Sequence, residues 1–592
     1  MKELEYPFDP RYLIKKKKSL KRQLLEADTK YVEKKVAVLG GSTTHDIAAI
    51  MELFLLGFGI KPQIYESEYN KYWEDVMFDN PELEEFAPDI IYIHTTNRNI
   101  TNYPQTGMSP EDVDTLLEAE LERFTAMWQK IEEKFHCPVI QNNFEFPTYR
   151  ILGNSDCYNI SGRVRFINSL NAEFAKYAAS HKDFYIEDIQ YLSASYGLDA
   201  WADPLYWHMY KYALSMEAIP TLSYSVACII KSIYGKNKKA LTLDLDNTLW
   251  GGIVGDDGPE NLEIGQETSM GQVYSEFQEY IRSHKDIGVI LTVDSKNDHE
   301  NAIAGLEHPA GTLKPDDFVV IKANWDPKSK NLADTAAELN LLPESFVFVD
   351  DNPAEREIIR AQIPGVAIPE LDSVENYIRM IDHAGYFEVT NLSADDAKRN
   401  EMYKANAQRA QLMASFADYG QYLDSLEMKG EIRAFEPVYL DRIAQLTNKS
   451  NQFNLTTKRY SRADIEEVAD SDEYIDIYGK LLDKFGDNGV VSVVIGHKNG
   501  EQLDMDLWIM SCRVLKRDME FAMLDGLVHR AKQAGLKKIV GYYYPTAKNN
   551  MVRDFYDRMG FTKVSEDAEG NTVWEFDLTA EYINKNIHID VN

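Results

Sequence analysis

Apolar runs of four to six residues recur along this chain, each closing on a polar or glycine-rich loop and followed by a longer stretch with helical spacing. The first run, 35–39, reads as a strand that opens through Gly40-Gly41-Ser42-Thr43-Thr44 onto an apolar helix over about 46–56. Strands at 62–65, 89–94, 138–141 and 184–188 then alternate with helices over 110–135 and 161–180. Continuous apolar strands alternating with helices predict a parallel sheet covered on both faces. The rhythm starts again at 241–245, with a helix around 270–285, strands at 288–293 and 318–321, a helix over 329–339 and a strand at 345–349. After a helical stretch over 394–426 the pattern changes to strand-like runs at 474–482, 490–497, 502–510 and 538–544, with helices at 519–534 and 549–559. That order predicts a mixed α/β unit.

Composition narrows the picture. At 592 residues the chain has room for roughly three to four domains. A formal net charge of −33 argues against nucleic acid as a partner, because phosphate backbones need basic surface. The Lys15–Lys18 cluster with Lys21 and Arg22 lies in an amphipathic helix and reads as a solvated face. Four cysteines, Cys137, Cys157, Cys228 and Cys512, show neither metal-like spacing nor a disulfide framework, which fits a reducing, cytoplasmic setting. The opening residues lack an apolar h-region, so no signal peptide is expected. The longest apolar run, 50–60, is about half of the ~20 residues a membrane span needs.

The chemistry concentrates at the ends of the second set of strands. Asp244 and Asp246 are two apart and share a face where the strand runs out, followed by Thr248. Alone, such a pair is a strand end with turn-forming residues. Three more polar clusters follow: Asp294-Ser295-Lys296-Asn297, Asn324 to Ser329 with Lys328 opening a helix, and Asp350-Asp351-Asn352-Pro353. All four fall at the edge where doubly wound sheets build sites. Clustered carboxylates suit Mg2+ together with a substrate phosphate. One carboxylate can attack phosphorus, while a hydroxyl and a lysine hold the phosphoryl oxygens.

This set resembles the four motifs of the haloacid dehalogenase (HAD) superfamily. The stretches DLDNTLWGG, SKND, NWDPKS and FVFVDDNPAERE are similar to the FkbH-like branch, subfamily IIIC. The resemblance implies Asp244 as nucleophile and Asp246 as acid and base, with its backbone carbonyl on the metal. It further implies Ser295 on the phosphoryl oxygens, with Thr248 and Asn297 as further substrate-binding residues, and Lys328 as the neutralising cation. Asp351 is the first choice as direct Mg2+ ligand, with Asp350 ligating or orienting Lys328. The gaps between motifs leave no room for a lid domain of ~50 residues, so a capless Rossmann-like domain is expected, open unless neighbouring domains roof it, with 250–257 as its local cover and substrate selection left to the flanking domains.

The flanks resemble two other families. The first region is similar to SGNH hydrolases, flavodoxin-like three-layer domains. Ser42 stands at the serine of their Gly-Asp-Ser block, Asn97 at the oxyanion asparagine (Asn142 as a second candidate) and Asp203 with His208 at the late pair. The block aspartate is missing and the late pair is five apart instead of three. The last region resembles GNAT acyltransferases through Asn549-Asn550, Phe555-Tyr556 and Met559-Gly560-Phe561. Lys516 and Asp518 replace the glycines of that family's pyrophosphate loop, which speaks against acyl-CoA. Asn448 to Asn454 also matches the FkbH-like pattern and is expected near a domain interface.

The expected layout is an N-terminal extension over 1–34, an SGNH-like domain over 35–232, a HAD-like domain over 233–390, a helical connector over 391–430 and a GNAT-like domain over 431–592. The expected activity is Mg2+-dependent hydrolysis of a phosphorylated small molecule or carrier-linked substrate, in polysaccharide or secondary-metabolite assembly. The alternatives are loading of a glyceryl or acyl group onto a carrier protein, for which Cys512 could serve only if the last domain folds over the phosphatase site, and an active HAD module between inactive binding domains.

Overall fold

The computed structural model describes residues 1–27, 29–392, 398–413, 415–450, 452–511, 514–546 and 548–591. Contacts divide the chain into two units, Met1–Ile233 with Ser461–Ala463, and Tyr234–Tyr460 with Asp464–Asn592. The second unit therefore joins what the sequence pattern separates into HAD-like, connector and GNAT-like segments.

The first unit is built on strands β1 (Val32–Gly40), β2 (Ile60–Glu66), β3 (Ile90–His94), β4 (Val139–Asn142) and β5 (Phe184–Glu187). All are parallel, in the order β2-β1-β3-β4-β5, the flavodoxin-like order. The last five residues of β1 and all of β3 and β4 are buried, as strands covered on both faces must be. An aromatic cluster of Phe124, Trp128, Phe144 and Phe174 fills one side. The helix Pro10–Glu26 is capped by Asp9 and buries only Leu13, Leu20 and Leu24. Its lysines are not all free: Lys17 pairs with Asp46 and Lys21 with Glu52, both on the helix His45–Gly57.

The second unit holds two sheets. Strands β6 (Ala240–Leu243), β7 (Ile290–Ser295), β8 (Val320–Ala323) and β9 (Phe346–Val349) form a parallel sheet ordered β8-β7-β6-β9. β6 pairs in step with both neighbours, Ala240 with Ile290 and with Phe346. The four loops that follow these strands therefore emerge together. The other sheet is mixed: β10 (Met428–Arg433), β11 (Tyr474–Asp483), β12 (Gly486–Asn499), β13 (Gln502–Met510), β14 (Lys538–Tyr543), β15 (Thr562–Glu566), β16 (Thr572–Asp577) and β17 (Ile589–Val591). β13 and β14 are parallel for only three residue pairs, Gln502–Lys538 to Asp504–Val540, before they diverge.

The helix Arg399–Met413 ties the two sheets: Asn400 donates to the Val289 carbonyl (2.9 Å), and Arg409 pairs with Asp483 (2.6 Å). Lys548 adds an ion pair to Glu344 at 2.7 Å. The continuous helix expected over 549–559 is broken into Asn550–Val552 and Phe555–Arg558. Part of the connector expected from 394 lies outside the described residues. The chain is thus a multidomain α/β protein with two parallel sheets and one mixed sheet.

Candidate active site

The end of β6 sets the geometry of the second unit's site. The Asp244 N–H still donates to Val349 O (2.9 Å), so its carboxylate is fixed beside the end of β9. Lys328, at the start of the helix Lys328–Glu338, places its ammonium 3.0 Å from Asp244 and 2.5 Å from Asp350. All three side chains are buried. Burial works against the Lys328 ammonium, but the two carboxylates outweigh it and raise its pKa. Burial, then the charge of Asp244, raises Asp350 to about 6 against the pull of Lys328. Asp351 is raised for the same two reasons, burial first.

Ligand oxygens of Asp244, Asp350 and Asp351 lie within 4.8 Å of one another. Three carboxylates so close, with one lysine between two of them, repel each other unless a cation joins them. A hard oxygen-binding ion such as Mg2+ fits this donor set. The Asp246 side chain stands outside that group, so any part it takes in metal binding falls to its backbone carbonyl.

Asp246 is held by its own flap. Its Oδ1 accepts from Trp250 Nε1 and from the Val254 N–H, both at 3.0 Å, and its Oδ2 accepts from Asn297 Nδ2 at 2.8 Å. Asn297 also donates to the Ser295 hydroxyl (3.2 Å), so its Nδ2 orients both acid and hydroxyl. The flap closes through reciprocal hydrogen bonds between Gly251 and Glu263 and carries the short helix Val254–Asp257. It is seated by Trp250, packed so tightly on Gly305 that a Cβ there would lie 2.9 Å from the indole. Thr248 uses its hydroxyl to accept the Asp351 N–H (3.2 Å), fixing the loop after β9.

Several supporting residues escape the motif reading. Asp294 is fully buried behind the site, with Oδ1 accepting from Asn331 (3.1 Å) and Oδ2 without a partner among the described residues. Burial raises it to about 8, against Asn331 and Lys328. Asn331 and Asn324 exchange hydrogen bonds of 3.0 and 3.3 Å, and the Asn324 N–H reaches Ser295 O (3.2 Å). Buried Arg356 donates to the carbonyls of Asp350 (2.7 Å), Asp351 (2.9 Å) and Leu371 (3.0 Å), pinning the double-aspartate turn. In the sequence Asp294 opens the polar cluster before Ser295, Arg356 lies within FVFVDDNPAERE, and the asparagines flank Lys328 in NWDPKSKN.

The first unit does not draw its candidates together. Asp203 Oδ1 accepts from the N–H groups of Leu205 (2.8 Å) and Tyr206 (3.2 Å), the cap of the helix Pro204–Tyr210. His208 is exposed on that helix and makes no described bond to Asp203 or Ser42. Asn97 donates to Glu145 (2.7 Å), whose carboxyl burial raises to about 7. It is Asn99 that reaches the serine loop, donating to Gly41 O at 2.9 Å. Ser42 is buried with its hydroxyl unpartnered among the described residues. Asn142 donates to Thr95 O (3.1 Å) and to His94 Nδ1 (2.9 Å). A carbonyl can only accept, which fixes the amide and makes Nδ1 an acceptor; His94 therefore carries its proton on Nε2. Burial lowers the ring to about 3, so it stays neutral. Its Nε2 has no hydrogen-bond partner among the described residues, so no described bond joins it to Ser42.

In the mixed sheet, the loop before the helix Met519–Gln533 keeps a left-handed backbone at Lys516 (φ 63°) and Asp518 (φ 57°), positions where glycine costs least. Asp518 and buried Glu520 bring carboxylates to that helix start. The gap between β13 and β14 is filled by the chain itself: Leu455 N donates to Trp508 O (3.2 Å), Met510 N to Phe453 O (3.1 Å) and Tyr544 N to Leu455 O (2.9 Å). Asn549 donates to Asn454 O at 2.9 Å. The segment expected at a domain interface thus lies within this sheet, although Asn451 is outside the described residues. Cys512 is outside them too.

Comparison with known proteins places residues 35–231 on the family model of the FkbH N-terminal domain. The chain is similar to the N-terminal part of a Bacteroides fragilis protein containing a phosphatase domain, solved in complex with Mg. Identity is 30%, the TM-score is 0.59, and the match covers 63% of this chain and 99% of that one. Weaker likenesses include the ribosomal-protein-S18-alanine N-acetyltransferase of Escherichia coli, at 11% identity and TM-score 0.21, covering 27% of this chain and 99% of that one. The GNAT domain of S. lividans PAT matches at 16% and 0.21, covering 25% and 89%. No curated protein matches.

Proposed function

We propose, from the premise that this chain belongs to the FkbH-like family, that its second unit is a Mg2+-dependent HAD phosphohydrolase acting on a phosphorylated metabolite. The observation that carries the reading is Lys328 bridging Asp244 and Asp350 beside Asp351, at the ends of two adjacent parallel strands.

In this reading an Asp244 oxygen attacks phosphorus and the bond to the leaving oxygen breaks, leaving an aspartyl phosphate. Asp246 gives its proton to the leaving oxygen, then takes one from the water that attacks the aspartyl phosphate and frees Asp244 and inorganic phosphate. Asp246 accepts two hydrogen bonds on Oδ1 and one on Oδ2, so Oδ2 keeps a lone pair for that proton. Lys328 offsets the Asp244 charge as a second anion arrives, and Ser295 binds the transferred oxygens. Asp244, Asp350 and Asp351 would hold Mg2+, which supplies positive charge that draws the phosphate dianion to Asp244.

Acyl-CoA chemistry is not proposed for the mixed-sheet domain. Its strand gap is filled by Phe453–Leu455, and the helix start that would face a pyrophosphate carries Asp518 and Glu520. Release of inorganic phosphate with and without Mg2+, in the intact chain and in Asp244→Asn, tests the reading. Loss of turnover on chelation and in the variant is expected. Undiminished turnover in Asp244→Asn rejects it.

A further inference from the structure

Among the described residues the segments between Asp244, Ser295 and Lys328 hold a short flap, helices and strands and no lid domain, so these loops supply the first candidates on the rim of the site to grip the non-phosphoryl part of the substrate. One rim residue is out of place as ordinary surface. Trp325, three residues before Lys328, is 70% exposed. It is nonetheless held in one pose. Its Nε1 donates to Asp298 Oδ1 at 2.8 Å, and Asp298 lies three residues after Ser295. The backbone under it is fixed as well, by Asn324 N to Ser295 O (3.2 Å) and by Asp326 N to Asn324 Oδ1 (3.0 Å). The indole therefore spans the two loops that deliver Ser295 and Lys328. A large apolar face left in water at a fixed angle beside a reaction centre is a preformed contact surface.

The groups around it select the occupant. Asp298 and Asp326 are exposed on the two loops the indole spans, Asp298 as its hydrogen-bond acceptor and Asp326 as its chain neighbour. The cations there are already engaged, Lys296 with Glu355 (2.5 Å) and Lys330 with Asp326 (2.8 Å) and Asp334 (3.3 Å). Such a rim repels a leaving group bearing a second phosphate. Its carboxylate oxygens accept hydrogen bonds from hydroxyl groups. An indole face packs against the C–H face of a saturated ring, whose hydroxyls then point outward to those carboxylates.

We infer that Trp325 and Asp298 form the leaving-group subsite of this phosphatase, and that the subsite takes a neutral polyhydroxylated ring, a sugar monophosphate. The inference rests on the phosphatase reading and deepens it. Hexose 1- and 6-phosphates are compared with acetyl phosphate, AMP and a hexose bisphosphate as substrates with Mg2+. Trp325→Ala is expected to lower kcat/KM for the hexose monophosphates at least tenfold more than for acetyl phosphate, mainly through KM, and Asp298→Asn to lower it severalfold more. Equal losses on both substrates, or a tenfold preference of the intact chain for AMP or the bisphosphate, overturn the subsite.

A binding measurement separates this from the chemistry. Hexose monophosphates should quench tryptophan fluorescence in Asp244→Asn and fail to do so in Asp244→Asn/Trp325→Ala. Absence of quenching in the single variant overturns the subsite even where acetyl phosphate is hydrolysed. Quenching without any turnover in the intact chain would instead leave the subsite standing and remove the phosphatase reading.

Discussion

The two parallel sheets of this chain use the same plan, polar loops gathered at the C-terminal ends of buried strands, and they differ in what those loops are occupied with. After β6 and β9 the polar side chains face one another: Lys328 reaches Asp244 and Asp350, and Asn297 reaches Asp246 and Ser295. At the first sheet's edge the candidates engage the backbone or other side chains and not one another: Asn97 goes to Glu145 and Asn142 to His94. Asp203 caps a helix, Asn99 holds Gly41 O, and Asn142 holds Thr95 O. Strand-end position is thus a permissive condition for a site. What makes one is that the carboxylates and the lysine meet one another, as Asp244, Lys328 and Asp350 do.

The largest effect should come from the nucleophile pair. Asp244→Asn is expected to reduce phosphate release by ~10³-fold or more, the scale of losing a residue that forms the covalent intermediate. Ser42→Ala, its counterpart in the first sheet, should leave phosphate release as it was. It should leave any ester hydrolysis by the chain as it was too. Loss of an esterase activity in Ser42→Ala would erase the contrast between the two edges.

Lys328→Met comes next. Removing the one cation between Asp244 and Asp350 should lower kcat by about 10²- to 10³-fold, the cost of losing a preorganised charge at the transferred group. A variant within threefold of the intact chain, measured at saturating Mg2+, would mean that the metal alone neutralises the site.

The assembled edge was readable because each of its parts is local. Asp244-x-Asp246, Ser295, Lys328 and Asp350-Asp351 each follow an apolar run whose register the parallel sheet preserves. The roles of the supports are not legible in the sequence: Arg356 binds backbone carbonyls, which no side-chain pattern marks, and Asp294 acts through Asn331, which is 37 residues away. Edge elements were also hard to read. β8 is only half-buried, so the apolar run at 318–321 centres two residues early. β15 is exposed along its whole length and offers no alternation. Phe453–Leu455 gives no strand signal alone, since it pairs only where β13 and β14 part. In the first sheet the motif placed Ser42 after β1, but no local pattern could show that Asp203 is spent as a cap.

Asp294 gives a smaller effect, with a pH signature. Its carboxyl, raised by burial to about 8, is protonated in the fold at neutral pH and ionised in the unfolded chain. A carboxyl raised in this way supports the fold fully only below its unfolded value near 4, and that support is lost as pH rises toward 8. Asp294→Asn removes this titration. Without Mg2+, the variant should lose less stability than the intact chain between pH 5 and 8, by up to about 1.4 kcal/mol per pH unit. Thermal unfolding of both proteins across that range checks it, and parallel curves would show that Asp294 is ionised in the fold.

The smallest effect bears on the first sheet alone. If Asp203 serves only as the cap of Pro204–Tyr210, Asp203→Ala should cost about 1 kcal/mol in denaturant unfolding. His208→Ala, on an exposed position, should stay within ±0.5 kcal/mol. The double variant should then equal the sum, because residues without a shared interaction add. A coupling above about 0.5 kcal/mol would mean that Asp203 and His208 meet in solution after all. In that case the first edge would share with the second the property on which the contrast depends, candidate residues bound to one another.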